Sequence, residues 1–153
     1  MDSVFLWQSG SKYRVKAHDA DMNEVEATYG QTDSGMTVIE GNLFLNGNKP
    51  IDQRSSYGLG EVLKAALDNQ AEHIVMSLGG IGSFDAGAGM LQALGAKFYD
   101  DEANIVDVSD GAYKIKYIRR IDLSNVHPRL ADAKLQLMSD FSSRLYGKQS
   151  EIM

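Results

Sequence analysis

The chain has 153 residues, with 15 Lys and Arg against 21 Asp and Glu, a formal net charge of -6, 43% hydrophobic residues and no cysteine. That is the length of one domain. Its composition excludes disulfides, thiolate nucleophiles and cysteine-ligated zinc, the three scattered histidines (His18, His73, His127) lack metal-ligand spacing, and the acidic balance argues against nucleic acid or an anionic membrane as main partner.

The first apolar run, Val4-Phe5-Leu6-Trp7, is too short for a membrane span and lacks the basic flank of a signal peptide. It reads as a terminal turn docking on the core, with the cytoplasm as the expected compartment. Residues 14–17 and 24–29 have strand character, the second alternating Val25, Ala27 and Tyr29 with Glu24, Glu26 and Thr28, the period of a half-buried strand. Turn residues 31–35 lead to a returning strand over Met36–Glu40, so an antiparallel hairpin or meander is expected. Residues 41–50, rich in Gly and Asn and ending in Pro50, read as a connecting loop with at most one helical turn.

Leu59, Val62, Leu63, Ala66 and Leu67 then fall at i, i+3, i+4, i+7 and i+8, which predicts an amphipathic helix with Gly58 as N-cap, Glu61 at N3 and a stop at Asn69. The near-continuous apolar run 73–78 is the pattern of a strand buried on both faces of a parallel sheet, and helix followed by strand implies a βαβ unit. Next come the glycine-rich residues 79–89 and a second helix carrying Met90, Leu91 and Leu94, stopped at Gly95. Residues 100–110 read as acidic turns, 113–118 as a strand, 121–124 and 127–130 as loops, Lys134–Met138 as a last strand, and 139–153 as a polar tail. The fold class is therefore α/β, a mixed sheet with an antiparallel hairpin part and packed helices.

The glycine loop is the sharpest chemical feature, because glycines after a buried strand let backbone N–H groups approach a phosphate or carboxylate. It is not a Walker A loop, and although Gly80, Gly82 and Ala86 have the dinucleotide spacing, the acidic partner expected about 20 residues later falls in an irregular region, so the fingerprint is poor. The same glycines also suit tight strand-to-helix packing. Asp85 and Ser83 read either as caps of the following helix or as groups that orient a substrate hydroxyl or meet nucleotide-bound magnesium. Ser55, Ser56 and Tyr57, leading into Glu61, form a second anion or polyol cradle or simply a serine-rich helix start, and Glu61 reads first as a first-turn carboxylate. His73 reads as structural and Arg119-Arg120 as a solvated strand end.

The segments Arg54-Ser55-Ser56-Tyr57-Gly58-Leu59-Gly60-Glu61 and Gly79-Gly80-Ile81-Gly82-Ser83-Phe84-Asp85-Ala86-Gly87-Ala88-Gly89-Met90-Leu91-Gln92-Ala93-Leu94-Gly95 resemble type I glycerate kinases, in which a Thr-Ser-Tyr-Gly-Thr-Gly-Glu segment precedes a helix and a Gly-Gly-Ser-Ala-Thr-Asn-Asp-Gly-Gly-Ala-Gly-Met-Leu-Gln-Ala-Leu-Gly loop follows. Weaker similarity reaches from residue 13 to residue 140. The resemblance implies ATP-dependent phosphorylation of glycerate, with magnesium bridging the phosphates. It places Asp85 as catalytic residue, with Gly79, Gly80, Ser83, Gly87 and Gly89 on the loop and Ser55, Ser56, Tyr57 and Glu61 beside it.

The chain departs from the family at Ile81, Gly82 and Phe84, which replace Ser, Ala and Asn, and it lacks an Asp-Ser-Phe-Lys-Gly-Ser element and a long C-terminal half. Residues 1–153 are thus expected to be a single domain corresponding to the family's inserted domain, weak or inactive on its own unless another chain supplies the missing half. The alternative is a non-catalytic anion-binding or protein-interaction module. An apolar face left open would favour a homo-oligomer.

Overall fold

The structure, a computed structural model, describes residues 10–78 and 85–139. Strand β1 (Gly10–His18) pairs antiparallel with β2 (Glu24–Thr32), which pairs antiparallel with β3 (Met36–Glu40). After a one-turn helix α1 (Asn42–Leu45), helix α2 (Tyr57–Asp68) crosses the sheet and β4 (His73–Ser77) returns parallel to β3. Helix α3 (Ala88–Ala93) and a separate antiparallel pair, β5 (Lys97–Tyr99) with β6 (Arg120–Asp122), precede β7 (Lys134–Met138), which joins β4 in parallel. The main sheet runs β1-β2-β3-β4-β7, the mixed α/β architecture that the patterning predicts.

Helix α2 buries the stripe that defined it. Leu59, Val62, Leu63, Ala66 and Leu67 are at most 3% exposed and pack on Ala17, Ala27, Tyr29, Ile39, Ile74 and Met76 of the sheet. Each fully buried Leu or Val contributes roughly 1.5–3 kcal/mol, so this face holds the domain together. Ile74, Val75 and Met76 are all buried, as a parallel strand covered on both faces requires. A smaller cluster under the second sheet joins Ala88, Ala96, Phe98, Val106 and Val108, with Leu91, Ile115 and Ile118 against it.

Three local expectations are corrected. The N-cap of α2 is Ser56 and not Gly58, which lies inside the helix. Residues 113–118 form no strand: Ala112–Tyr117 is a 3-10 helix, because Ile115 and Ile118 enter the second cluster with the three-residue period of that helix. The apparent loop 121–124 begins with β6, held by its pairing to β5. The tail from residue 140 and the run Val4-Phe5-Leu6-Trp7 lie outside the described residues.

Two reversals in the chain share one design. Asp19 Oδ1 accepts from the N–H groups of Asp21 and Asn23, and Asp100 Oδ1 accepts from those of Glu102 and Asn104. The residue before each asparagine, Met22 or Ala103, takes a φ of 64°. The carboxylate organises the turn while the left-handed residue closes it.

At the far end of α2, His127 Nε2 lies 2.8 Å from Asp68 Oδ1, and Lys64 donates to Asp68 Oδ2 at 3.0 Å. The hydrogen bond from His127, and next that from Lys64, holds the Asp68 carboxyl below its ordinary 3.8. A carboxylate with a depressed folded pKa contributes stability above its unfolded pKa and loses it as pH falls through the folded one. Asp68→Asn should therefore flatten the dependence of the urea midpoint on pH below about 4.

Candidate functional site

Because β1, β3, β4 and β7 run the same way, their carboxyl ends, at His18, Glu40, Ser77 and Met138, share one edge of the sheet. Helix α2 starts at that edge. Ligands of α/β sheets bind in the crevice outside these strand ends, and here a cavity of about 530 Å³ is lined by Glu40, Asn42, Ser77, Leu78, Leu137, Met138 and Ser139.

Asp85 ties the helices of this edge together. It is 2% exposed, and Oδ2 accepts from Ser56 N–H (2.8 Å), Ser56 Oγ (2.8 Å) and Gly89 N–H (3.2 Å) while Oδ1 accepts from Gly87 N–H (3.0 Å). Ser56 Oγ in turn accepts from Met90 N–H at 3.0 Å. One carboxylate thereby satisfies the leading amides of both α2 and α3, groups that have no partner inside their own helices. The N–H groups that the sequence offers to a phosphate at Gly87 and Gly89 are given to this internal anion.

Close approach makes the arrangement possible. A Cβ on Gly89 would lie 2.4 Å from Ser55 Oγ and 2.8 Å from Asp85 Oδ2, and one on Gly60 would lie 2.4 Å from the Met90 carbonyl oxygen. Gly87, at φ +77°, turns the chain into α3 in a conformation open to glycine. Ser55, fully buried, donates to the Val108 carbonyl at 3.3 Å and accepts from Tyr57 N–H at 3.2 Å. Gln92 on α3 continues the network, accepting from Val108 N–H and donating to Asp107.

Glu61 does not act as a capping carboxylate for its own helix. It reaches β1, where it accepts from His18 N–H at 2.8 Å and lies 3.0 and 3.1 Å from His18 Nδ1. The Tyr57 ring stands edge-on to His18, with centroids 6.3 Å apart, and burial, then the Glu61 charge, pushes the Tyr57 hydroxyl above its ordinary value of 10.0. Glu61→Ala would leave two His18 donors without their acceptor. It is expected to cost about 1–2 kcal/mol in urea unfolding and to shift the His18 amide resonance.

His18 and Asp21 are the members of this edge that sequence reading does not single out. Asp21, 7% exposed, accepts from Asn48 N–H (2.7 Å) and Lys49 N–H (3.0 Å), and these bonds, with the nearby Arg54 and Lys49 charges, hold its carboxyl below the ordinary range. It clamps the loop over the sheet edge. The only available signal was its Asp-x-Asp neighbourhood, which the turn at Asp19 already explains. Of the predicted residues, Ser55, Ser56, Asp85, Gly87 and Gly89 converge on one network, and Tyr57 with Glu61 stands beside it around His18. Gly79, Gly80 and Ser83 lie outside the described residues. Among the described residues no group of three acidic, histidine or cysteine side chains could hold a metal ion.

The glycerate kinase family model matches residues 1–152. This chain belongs to the glycerate kinase family. It is 35% identical over 150 residues to the glycerate kinase of Halalkalibacterium halodurans, covering 92% of this chain and 38% of that relative. It is 32% identical over 131 residues to the glycerate 2-kinase of Escherichia coli K12, covering 81% of this chain and 34% of that one. A crystal structure described as glycerate kinase 2 from Salmonella typhimurium LT2 superposes with a TM-score of 0.87 at 27% identity, over 97% of this chain and 41% of that one. The chain thus spans about two-fifths of the length of the glycerate kinases it matches.

Proposed function

We propose that this domain forms one side of the active cleft of an ATP-dependent phosphotransferase that phosphorylates glycerate, working in the cytoplasm where ATP is available. The observation that carries the reading is the cavity at the carboxyl ends of β3, β4 and β7, in a chain of this family. Its lining combines the polar side chains of Glu40, Asn42, Ser77 and Ser139 with an apolar wall of Leu78, Leu137 and Met138. That mixture suits a small hydroxy acid or the sugar of a nucleotide.

Asp85 acts in this reading as a positioning residue: its lone pairs are engaged by Ser56, Gly87 and Gly89, and through them it fixes where α2 and α3 begin. Gly79, Gly80 and Ser83 are assigned to the phosphates on the family resemblance. Ser55, Ser56, Tyr57 and Glu61 hold the neighbouring wall. Magnesium, when present, would enter with the nucleotide phosphates and neutralise their charge, since the described residues build no protein cage for it. Phosphoryl transfer asks the protein mainly for positioning and charge stabilisation, and this domain supplies the first.

The test is an ADP-release assay with glycerate and Mg-ATP on the 153-residue chain alone and mixed with a polypeptide carrying the part of the Halalkalibacterium halodurans relative that it does not match. Glycerate-dependent turnover is expected in the mixture and at most weakly in the chain alone. Absence of glycerate-dependent ADP in both would sink the proposal.

A further inference from the structure

The loop that leaves α1 carries the one Asn-Gly pair in the sequence, Asn46-Gly47. Asn46 ends α1 with φ -108° and ψ 141°, and its Nδ2 donates to the Asn42 carbonyl oxygen and to Asn42 Oδ1. The residues after it close over Asp21. Asn48 and Lys49 give that carboxylate their N–H groups, and a Cβ on Gly47 would lie 2.3 Å from its Oδ1 and 2.9 Å from its Oδ2. Asp21 is 7% exposed and fixed by those two bonds, so it selects glycine at position 47. Among the described residues the Gly47 N–H has no acceptor.

A glycine after asparagine leaves its own nitrogen unshielded by a side chain, and that nitrogen can attack the asparagine amide. At this loop the Gly47 nitrogen would bond to Asn46 Cγ, the Cγ–Nδ2 bond would break, and ammonia would leave with the Gly47 proton. Water then opens the five-membered imide at either carbonyl. One opening gives aspartate, and the other gives isoaspartate, which carries one more carbon in the main chain. The ψ of Asn46 holds the Gly47 nitrogen away from Cγ, so the reaction waits on a rotation of that peptide, and the rotation breaks no hydrogen bond of the Gly47 amide. The aspartate counterpart, Asp110-Gly111, differs here, because its glycine N–H is given to the Val108 carbonyl at 3.3 Å.

We propose that Asn46 is a self-modification site, converting to isoaspartate and aspartate without an enzyme, and that isoaspartate at 46 releases the loop from Asp21. The inference does not depend on the phosphotransferase reading. A lengthened main chain directly before Gly47 moves the Asn48 and Lys49 amides off the carboxylate they share. The new acid also turns an acceptor toward the two Asn42 oxygens that took the amide's hydrogens. Asn42 lines the cavity, so the conversion reaches the candidate site. The clamp thus imposes the glycine that makes its own release possible.

The full 153-residue chain is aged in mildly alkaline buffer at body temperature, folded and in urea, and its peptides are mapped by mass spectrometry with isoaspartate resolved from aspartate. Asn46 should convert before the other six asparagines, faster in urea than in the folded chain, and Asn46→Gln should remove the product. In the aged folded chain, hydrogen exchange at the Asn48 and Lys49 amides should quicken about tenfold, as the loss of one hydrogen bond implies. Asn46→Asp, which brings the charge without the longer main chain, should quicken them less. An Asn46 that stays intact in the folded chain while another asparagine converts, or an isoaspartate form whose two amides exchange as in the fresh chain, overturns the proposal.

Discussion

Asp85→Ala is expected to lower the unfolding free energy by about 3–5 kcal/mol. Removing the carboxylate leaves the N–H groups of Ser56, Gly87 and Gly89 and the Ser56 hydroxyl buried without their acceptor. Each such donor costs about 1–3 kcal/mol, reduced where water can enter the cavity left behind. At roughly 2–4 °C per kcal/mol for a chain of this size, the melting temperature should fall by about 10 °C. Asp85→Asn keeps the shape but turns an NH2 group toward donors, so it should fall between wild type and alanine. Urea unfolding followed by circular dichroism orders the three proteins; an alanine variant as stable as wild type would show that the carboxylate does not hold the helices.

Gly58→Ala should be comparably damaging for a different reason. A Cβ there would lie 1.6 Å from the His18 carbonyl oxygen and 3.0 Å from Phe44 Cδ1. The first of these atoms is backbone, so no rotamer change relieves the clash, and β1 must move away from α2. The expected cost is about 3–5 kcal/mol, beyond ordinary overpacking because the His18 to Glu61 bonds are lost with it. Gly35→Ala is the control: nothing lies within 4 Å of its Cβ, but φ is +87°, so only the strain of a left-handed alanine, about 1 kcal/mol, applies. A Gly58→Ala protein no less stable than Gly35→Ala would refute the close packing of β1 on α2.

These two residues show what could be read from the chain and what could not. Leu59, Val62, Leu63, Ala66 and Leu67 announce α2 because helical burial has a period, and the short runs at 36–40, 73–78 and 134–138 announce strands by their length and residue types. The period misleads where tertiary packing selects another geometry: Tyr113, Ile115 and Tyr117 alternate like a strand but wind as a 3-10 helix. The clustering of Ser56, Asp85 and Gly89 was legible as motif, and its two readings were legible with it. Only the hydrogen bonds show that the anion at the helix starts is the protein's own carboxylate. His18 was invisible because its partner Glu61 is 43 residues away in the chain, a pairing that no local pattern encodes.

The order of the sheet has a consequence for how the chain is made. The β1–β2 hairpin closes on a short turn and can form within microseconds. Strand β4, by contrast, ends at Ser77 and receives its second neighbour only when Met138 has been synthesised. At about 5–20 residues per second, the edge that carries Ile74 and Met76 waits several seconds for its cover. During translation, β4 therefore keeps one edge open to other strands until the chain has reached residue 138.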